Sequence, residues 1–311
     1  MEPQLVHFRS GDEQCVGDLY LPENMQGAQP ALVIGHGFNM VKEALREQAA
    51  YLAKAGYVVL AIDYRRFGAS EGLPRQLMRP LDEVEDFRNA ISYLQDRPDV
   101  DPDRIGIWGV SFGGGVVLQV AAVDRRVKCV VAQSPAYLDG RQATKSLYGA
   151  QAFAQLQTKL QEDHLRRFRT GTGERVPCMV PVEPGVFPVM PGDTLSSKFM
   201  KNNVELFDSY RFEIPLESLE HMLIWAPMNF VEHIAPTPLR IVTNGGYDIH
   251  HALDSIQEAY RRAGEPKDLS ILNYDVVGLY IEPGRGEAMR LAIDWFDKYL
   301  LGVGPFGRSG P

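Results

Sequence analysis

Residues 104–115 read Arg-Ile-Gly-Ile-Trp-Gly-Val-Ser-Phe-Gly-Gly-Gly, and this stretch decides the fold. Arg104–Trp108 is a short, largely apolar run of the kind that makes a strand buried on both faces. Gly109-Val110-Ser111-Phe112-Gly113 follows it as G-x-S-x-G, and an apolar helix continues through about Val123. The glycines permit a tight, strained turn from strand to helix, which holds a serine hydroxyl out above a sheet. The helix N-terminus beneath it favours developing negative charge. A glycine turn with an incidental serine is the plain alternative, and the flanking strand and helix argue against it.

Outward from this turn, strand and helix signals alternate. Toward the N-terminus lie short strands at Leu5–Phe8 and Cys15–Tyr20, then buried strands at Ala31–Gly35 and Tyr57–Asp63. Helical spacing fills the gaps at Lys42–Ala55 and Leu81–Gln95. Toward the C-terminus, Val127–Ala132 is a further strand. At Ser134-Pro135 the rhythm stops, and Val176–Pro191 carries so many prolines that no regular element is expected there. A polar-faced helix at Gln151–Arg167 is expected within this irregular part. The alternation returns with Leu239–Thr243 as strand, Leu253–Ala263 as helix, Leu269–Tyr274 as strand and Gly286–Leu301 as helix. Strands spaced by helices mean β-α-β units and a mostly parallel sheet flanked by helices. The expected organisation is an α/β core from 1–134 and 236–301, a mainly helical cap (lid) over 135–235, and a flexible tail at 302–311.

Composition bounds the function. The chain has 311 residues, 45% hydrophobic and 23% charged, which supports a packed core rather than disorder. Its net charge of −8 argues against a nucleic-acid partner, which needs a basic face. Three cysteines without a C-x-x-C pair make neither a disulfide framework nor a structural zinc site. No signal peptide and no membrane-spanning run is apparent, so a cytoplasmic protein off the membrane is expected. No phosphate-binding glycine loop or metal-ligand cluster is visible, and no cofactor is expected. The expected partner is a small-molecule substrate, and the chain leaves room for a homodimer.

A serine nucleophile passes through an oxyanion that two backbone N–H groups must face. Phe112, directly after Ser111, supplies one; Phe38, in Gly35-His36-Gly37-Phe38 after the Ala31–Gly35 strand, supplies the other. These segments, with Lys42-Glu43, Asp63-Tyr64-Arg65-Arg66-Phe67-Gly68-Ala69-Ser70-Glu71-Gly72 and Pro74-Arg75-Gln76, resemble the α/β-hydrolase superfamily. Within it they are similar to the dienelactone-hydrolase-like branch that includes fungal polyketide transferases. The resemblance covers the sheet region at both ends of the chain and not the cap. It implies the α/β-hydrolase fold, a serine nucleophile and acyl-type chemistry, without implying a substrate.

In this fold the triad runs in chain order serine, acid, histidine. Asp248, in Asn244-Gly245-Gly246-Tyr247-Asp248 after the Leu239–Thr243 strand, is the acid candidate, with Asp254 as an alternative and a turn or N-cap role as the plain reading. The histidine belongs on the loop after Leu269–Tyr274, where the family pattern falls on Val276, which cannot accept a proton. The last histidine in the chain is His251. His250 and His251 are the obvious stand-ins, but an acid and base so close on one loop require an unusual geometry, and polar residues near a helix start explain them equally well. His221 and His233 fall in the cap or its return, and His7 and His164 read as surface residues. Arg65-Arg66 reads as an anion site or as charges paired with Glu71. The aromatic and methionine residues of the cap suit an apolar pocket over the serine, or plain packing.

The expectation is therefore a serine hydrolase or acyltransferase acting on an ester, thioester, lactone or activated carbonyl of a medium-sized, partly apolar substrate. With the base position empty, three alternatives stand beside it. They are an inactivated variant, a non-hydrolytic lyase, cyclase or isomerase on the same scaffold, and a binding module.

Overall fold

The computed structural model describes residues 2–23, 25–246 and 248–302. The expected tail therefore lies, from residue 303 on, outside the described residues. The chain opens with strands β1 (Gln4–Ser10), β2 (Glu13–Tyr20) and β3 (Gln29–Gly35). A 3-10 turn at Lys42–Leu45 leads into helix α1 (Arg46–Lys54) and strand β4 (Val58–Asp63). Helix α2 (Pro80–Gln95) starts on a proline whose fixed φ suits a first helical turn. It buries Val84, Phe87, Ile91 and Leu94, the three-to-four spacing read from the sequence. Strand β5 (Val100–Val110), helix α3 (Phe112–Val123) and strand β6 (Cys129–Gln133) complete the first half. Almost every residue of α3 is buried, which matches a helix that is apolar all round.

Between Gln133 and Leu239 the chain leaves the sheet. Helix α4 (Gly140–Thr170) is capped by the Asp139 side chain and broken by non-helical backbone at Gly149. It starts well before the expected Gln151, because that cap and the apolar run around Leu147 and Tyr148 extend it backward. Strands β7 (Arg175–Pro177), β8 (Met179–Val180) and β9 (Met190–Pro191), helix α5 (Thr194–Leu206), strand β10 (Glu213–Pro215) and helix α6 (Ser218–Leu223) follow. The expectation of no regular element in Val176–Pro191 is corrected: β10 pairs β7 antiparallel and β8 pairs β9 parallel. The prolines limit each piece to two or three residues, since proline cannot donate to a ladder.

The chain returns with β11 (Leu239–Asn244), helix α7 (Leu253–Arg262), β12 (Lys267–Leu272) and helix α8 (Gly284–Phe296). The main sheet has the order β1-β2-β4-β3-β5-β6-β11-β12. Only β1–β2 and β2–β4 pair antiparallel, and the remaining neighbours are parallel. One face of the sheet packs on α2, α3 and the inserted segment, with Phe87, Ile91, Val117 and Leu219 in one apolar cluster. The other packs on α1 and α8, through Leu52, Trp108, Met289 and Phe296. Among the described residues no helix is long and apolar enough to cross a membrane.

Candidate active site

Ser111 sits at the C-terminal end of β5, where parallel strands open toward the inserted segment. Its backbone is left-handed, φ 56 and ψ −120, a conformation that costs a non-glycine residue free energy. Neighbouring bonds hold it: Ser111 N–H donates to Gln133 O at 2.9 Å, and Ser111 O accepts from Ala136 N–H at 3.0 Å. The flanking glycines are close approaches. A Cβ at Gly109 would lie 2.2 Å from Gly113 O, and one at Gly113 would lie 2.4 Å from His36 O.

The loop after β3 is pressed against the serine. A Cβ on Gly37 would come within 3.0 Å of Ser111 Cβ and 3.5 Å of its Oγ. Phe38 and Phe112 are both buried. Among the described residues neither backbone N–H donates to an acceptor in the chain, and for Phe112 this follows from its place at the first helical position. His36, beside them, has Nδ1 at 2.9 Å from Gly37 O and packs its ring against Tyr64. Burial, above all, pushes its pKa down to about 4, so it stays neutral and structural.

The sequence left Ser111 without a base because the loop after β12 carries Val276. The structure brings one from the loop after β11 instead. His251 Nε2 lies 2.9 Å from Ser111 Oγ, and His251 Nδ1 lies 2.6 Å from Asp248 Oδ2. The unusual geometry that an acid and base three residues apart require is supplied by Asp248 itself. Its Oδ1 accepts the backbone N–H of His250 at 2.8 Å and of His251 at 3.2 Å. The carboxylate thus curls the chain back on itself, leaving Oδ2 for the imidazole. Burial would raise the Asp248 pKa, but the hydrogen bond and charge of His251, with the two backbone donors, outweigh it and hold the value at about 2. Asn244 Nδ2 adds a contact to Asp248 Oδ2 at 3.3 Å, and Ser134 Oγ donates to Asn244 Oδ1 at 3.1 Å. Sequence reasoning placed His251 only as a stand-in. No local signal singles it out: Asp-x-His and Asp-x-x-His stand side by side, and the backbone N–H groups of both histidines bond the same carboxylate oxygen.

The other candidates fall elsewhere. Val276 is half-buried, before a 3-10 turn at Val277–Leu279. Asp254 is exposed in the first turn of α7 and accepts its neighbour Ser255's N–H. His250 Nε2 bonds Pro191 O at 2.8 Å, tying the base loop to the inserted segment. His221 lies 3.5 Å from Glu217, and His7, His164 and His233 are exposed. Arg65 and Arg66 pair with Asp86, Glu85 and Asp82 rather than with Glu71. Among the described residues no cluster of metal ligands is present.

Residues 14–173 match the X-Pro dipeptidyl-peptidase (S15) family. The chain is 30% identical to the thiohydrolase aneE of Aspergillus aculeatus, over 75% of this chain and 73% of that protein. It is 29% identical to the polyketide transferase grgF of Penicillium sp., over 86% of each. Among solved structures, that of DcsB with its substrate analogue superposes with a TM-score of 0.84 at 25% identity, covering 96% of this chain and all (100%) of that one.

Proposed function

Belonging to the S15 family of α/β-hydrolases, the chain is an enzyme of the esterase/acyltransferase type, and we propose that it works on ester or thioester bonds through Ser111, His251 and Asp248. The observation that carries this reading is the unbroken chain of hydrogen bonds from Asp248 Oδ2 through His251 to Ser111 Oγ. With Nδ1–H donated to Asp248, the Nε2 lone pair is free to take the serine proton. As it does so, Ser111 Oγ bonds the substrate carbonyl carbon. The carbonyl oxygen becomes an oxyanion held by the Phe38 and Phe112 N–H groups. Collapse breaks the carbon–sulfur or carbon–oxygen bond, and the leaving group takes the proton back from His251. Water or an acceptor hydroxyl, thiol or amine then attacks acyl-Ser111 and repeats the proton cycle in reverse. Asp248 stays ionised and stabilises the imidazolium that forms twice in the cycle.

The substrate in this reading is a medium-sized, partly apolar small molecule under a lid formed by residues 135–235, and no cofactor takes part. A reducing cytoplasm suits three buried, unpaired cysteines. The non-hydrolytic and binding readings rested on an empty base position, and the contact of His251 Nε2 with Ser111 Oγ supports the acyl-transfer reading over them.

The test is intact-mass analysis after incubation with a fluorophosphonate, beside turnover of a panel of acyl thioesters and p-nitrophenyl esters. The wild type should form one adduct per chain, and Ser111→Ala none. His251→Ala should slow turnover by about 10²–10⁴-fold. Val276→His should leave it unchanged. An unlabelled wild type, or a His251→Ala variant as fast as wild type, would sink the assignment. A preference for acetate over longer acyl groups would count against the partly apolar substrate.

A further inference from the structure

Asn39 directly follows Phe38 and has a left-handed backbone, φ 51. The turn it belongs to is closed by Met40 N–H donating to Gly37 O at 3.2 Å, so Phe38 and Asn39 are its two central residues. Phe38 is not left-handed, and a positive φ at the third position of such a turn is the demand that glycine or asparagine meets. Glycine would meet it with no side chain. Here the side chain is buried instead, and its Nδ2 reaches a segment far away in sequence. It donates to Arg211 O at 3.0 Å and to Tyr210 Oη at 3.3 Å. The receiving corner is itself braced. Tyr210 Oη meets Cys178 Sγ at 3.4 Å, Cys178 N–H donates to Phe212 O at 2.8 Å, and Arg211 Nη1 donates to Asp208 O at 2.6 Å.

We propose that Asn39 is a positioning residue for the oxyanion hole: by clasping the corner at Tyr210 and Arg211 it fixes the Phe38 turn against Ser111. This inference rests on the acyl-transfer reading above, and it adds a reason for the inserted segment beyond covering the substrate. An oxyanion donor contributes most when its place is set before the reaction. The Phe38 N–H sits in a short turn whose outer side meets the inserted segment, so a brace at the next residue removes the freedom that would blur it. The effect belongs to the transition state, because the oxyanion exists only there.

The experiment compares Asn39→Gly and Tyr210→Phe with the wild type. Glycine keeps the left-handed turn and removes the clasp, whereas Tyr210→Phe removes one acceptor and leaves the turn untouched. Each is assayed for kcat and KM on an acyl thioester that the wild type turns over, and for inhibition by an alkyl trifluoromethyl ketone. Ser111 Oγ adds to that ketone's carbonyl carbon, the hydroxyl proton passes to His251 Nε2, and the carbonyl oxygen becomes a hemiketal oxyanion in the hole. Asn39→Gly should lower kcat by roughly 10–100-fold with KM little changed. Affinity for the ketone should fall by a similar factor. Tyr210→Phe should move both in the same direction by a smaller factor. Unchanged kcat and ketone affinity in both variants would overturn the inference, as would a rise in KM alone. A wild type that neither turns over thioesters nor binds the ketone would sink the acyl-transfer reading instead, whatever the variants do.

Discussion

Asp248 divides its two oxygens between two backbone N–H groups and the His251 ring, and that division is what the proposed triad rests on. Its pKa of about 2 lies below the ordinary 3.8, so its contribution to stability is complete above the ordinary value and disappears as pH falls through about 2. Asp248→Asn removes this dependence. The Tm difference between wild type and variant should be widest near about pH 6 and should close toward about pH 2. A gap independent of pH would mean that the carboxylate charge is not what the two backbone amides and His251 hold. In activity the same variant should lose on the order of 10³–10⁴-fold, since an amide can settle His251 in the wrong tautomer. Because Asp248 remains ionised across the working range, an acid limb in the rate profile is not its titration. Nor does it belong to His36, whose buried ring protonates only near about 4 and bonds Gly37 rather than Ser111.

The turn between β5 and α3 shows what glycine does at the level of elements. Gly109 and Gly113 are the points where β5, α3 and the loop after β3 come closer than a Cβ allows. Gly113→Ala would place a methyl group 2.4 Å from His36 O and 2.9 Å from Gly35 O, so the first turn of α3 must move away from the Phe38 loop. Urea unfolding should register a loss of roughly 1–3 kcal/mol, the usual cost of overpacking. Turnover should fall by more than that loss of folded population explains, because the Phe38 and Phe112 N–H groups, the proposed oxyanion donors, separate. A midpoint equal to that of the wild type would mean that the turn has slack the distances do not show. The G-x-S-x-G pattern was legible in the sequence because both glycines stand beside the serine between a strand and a helix, although the approach that requires Gly113 is to the distant His36. The left-handed Asn39 was not, because asparagine occurs in many turns and its partners lie 171 and 172 positions away.

At the scale of the molecule, the sheet is assembled from both ends of the chain. β6 lies between β5 and β11, and β11 pairs with β6 through Leu239↔Val130 to Val242↔Gln133. Ser134 N–H donates to Val242 O at 2.7 Å, so the point where the chain leaves the sheet is held by the strand on which it returns. The inserted segment is fastened to the core at separate places. Asn39 bonds Arg211, His250 bonds Pro191, and the Trp225 ring stacks on the Phe112 ring with centroids 6.1 Å apart. A fragment ending at residue 134 would expose the apolar flank of α3 and leave β6 as an open edge. It should lack a cooperative thermal transition and a near-ultraviolet dichroism signal. A sharp transition in that fragment would show that the first half folds alone and that β11 merely docks on it.

The sequence by itself determined the parallel sheet and the serine turn, and it offered the loop opposite the serine and Asp248 as candidates, because apolar patterning, turn glycines and chain order are all written along the chain. Apolar runs select buried strands, glycines permit close approaches, and chain order places an aspartate after the strand that follows the insertion. Only the tertiary structure decided which imidazole meets Ser111. Nothing local distinguishes His251 from its neighbour His250, since both follow the same aspartate and both backbone N–H groups bond it. They part because the loop, docked between β11 and the inserted segment, turns one ring toward Ser111 and the other toward Pro191. Which ring meets the serine is set by the packing of elements distant in sequence, a three-dimensional constraint that no spacing along the chain records.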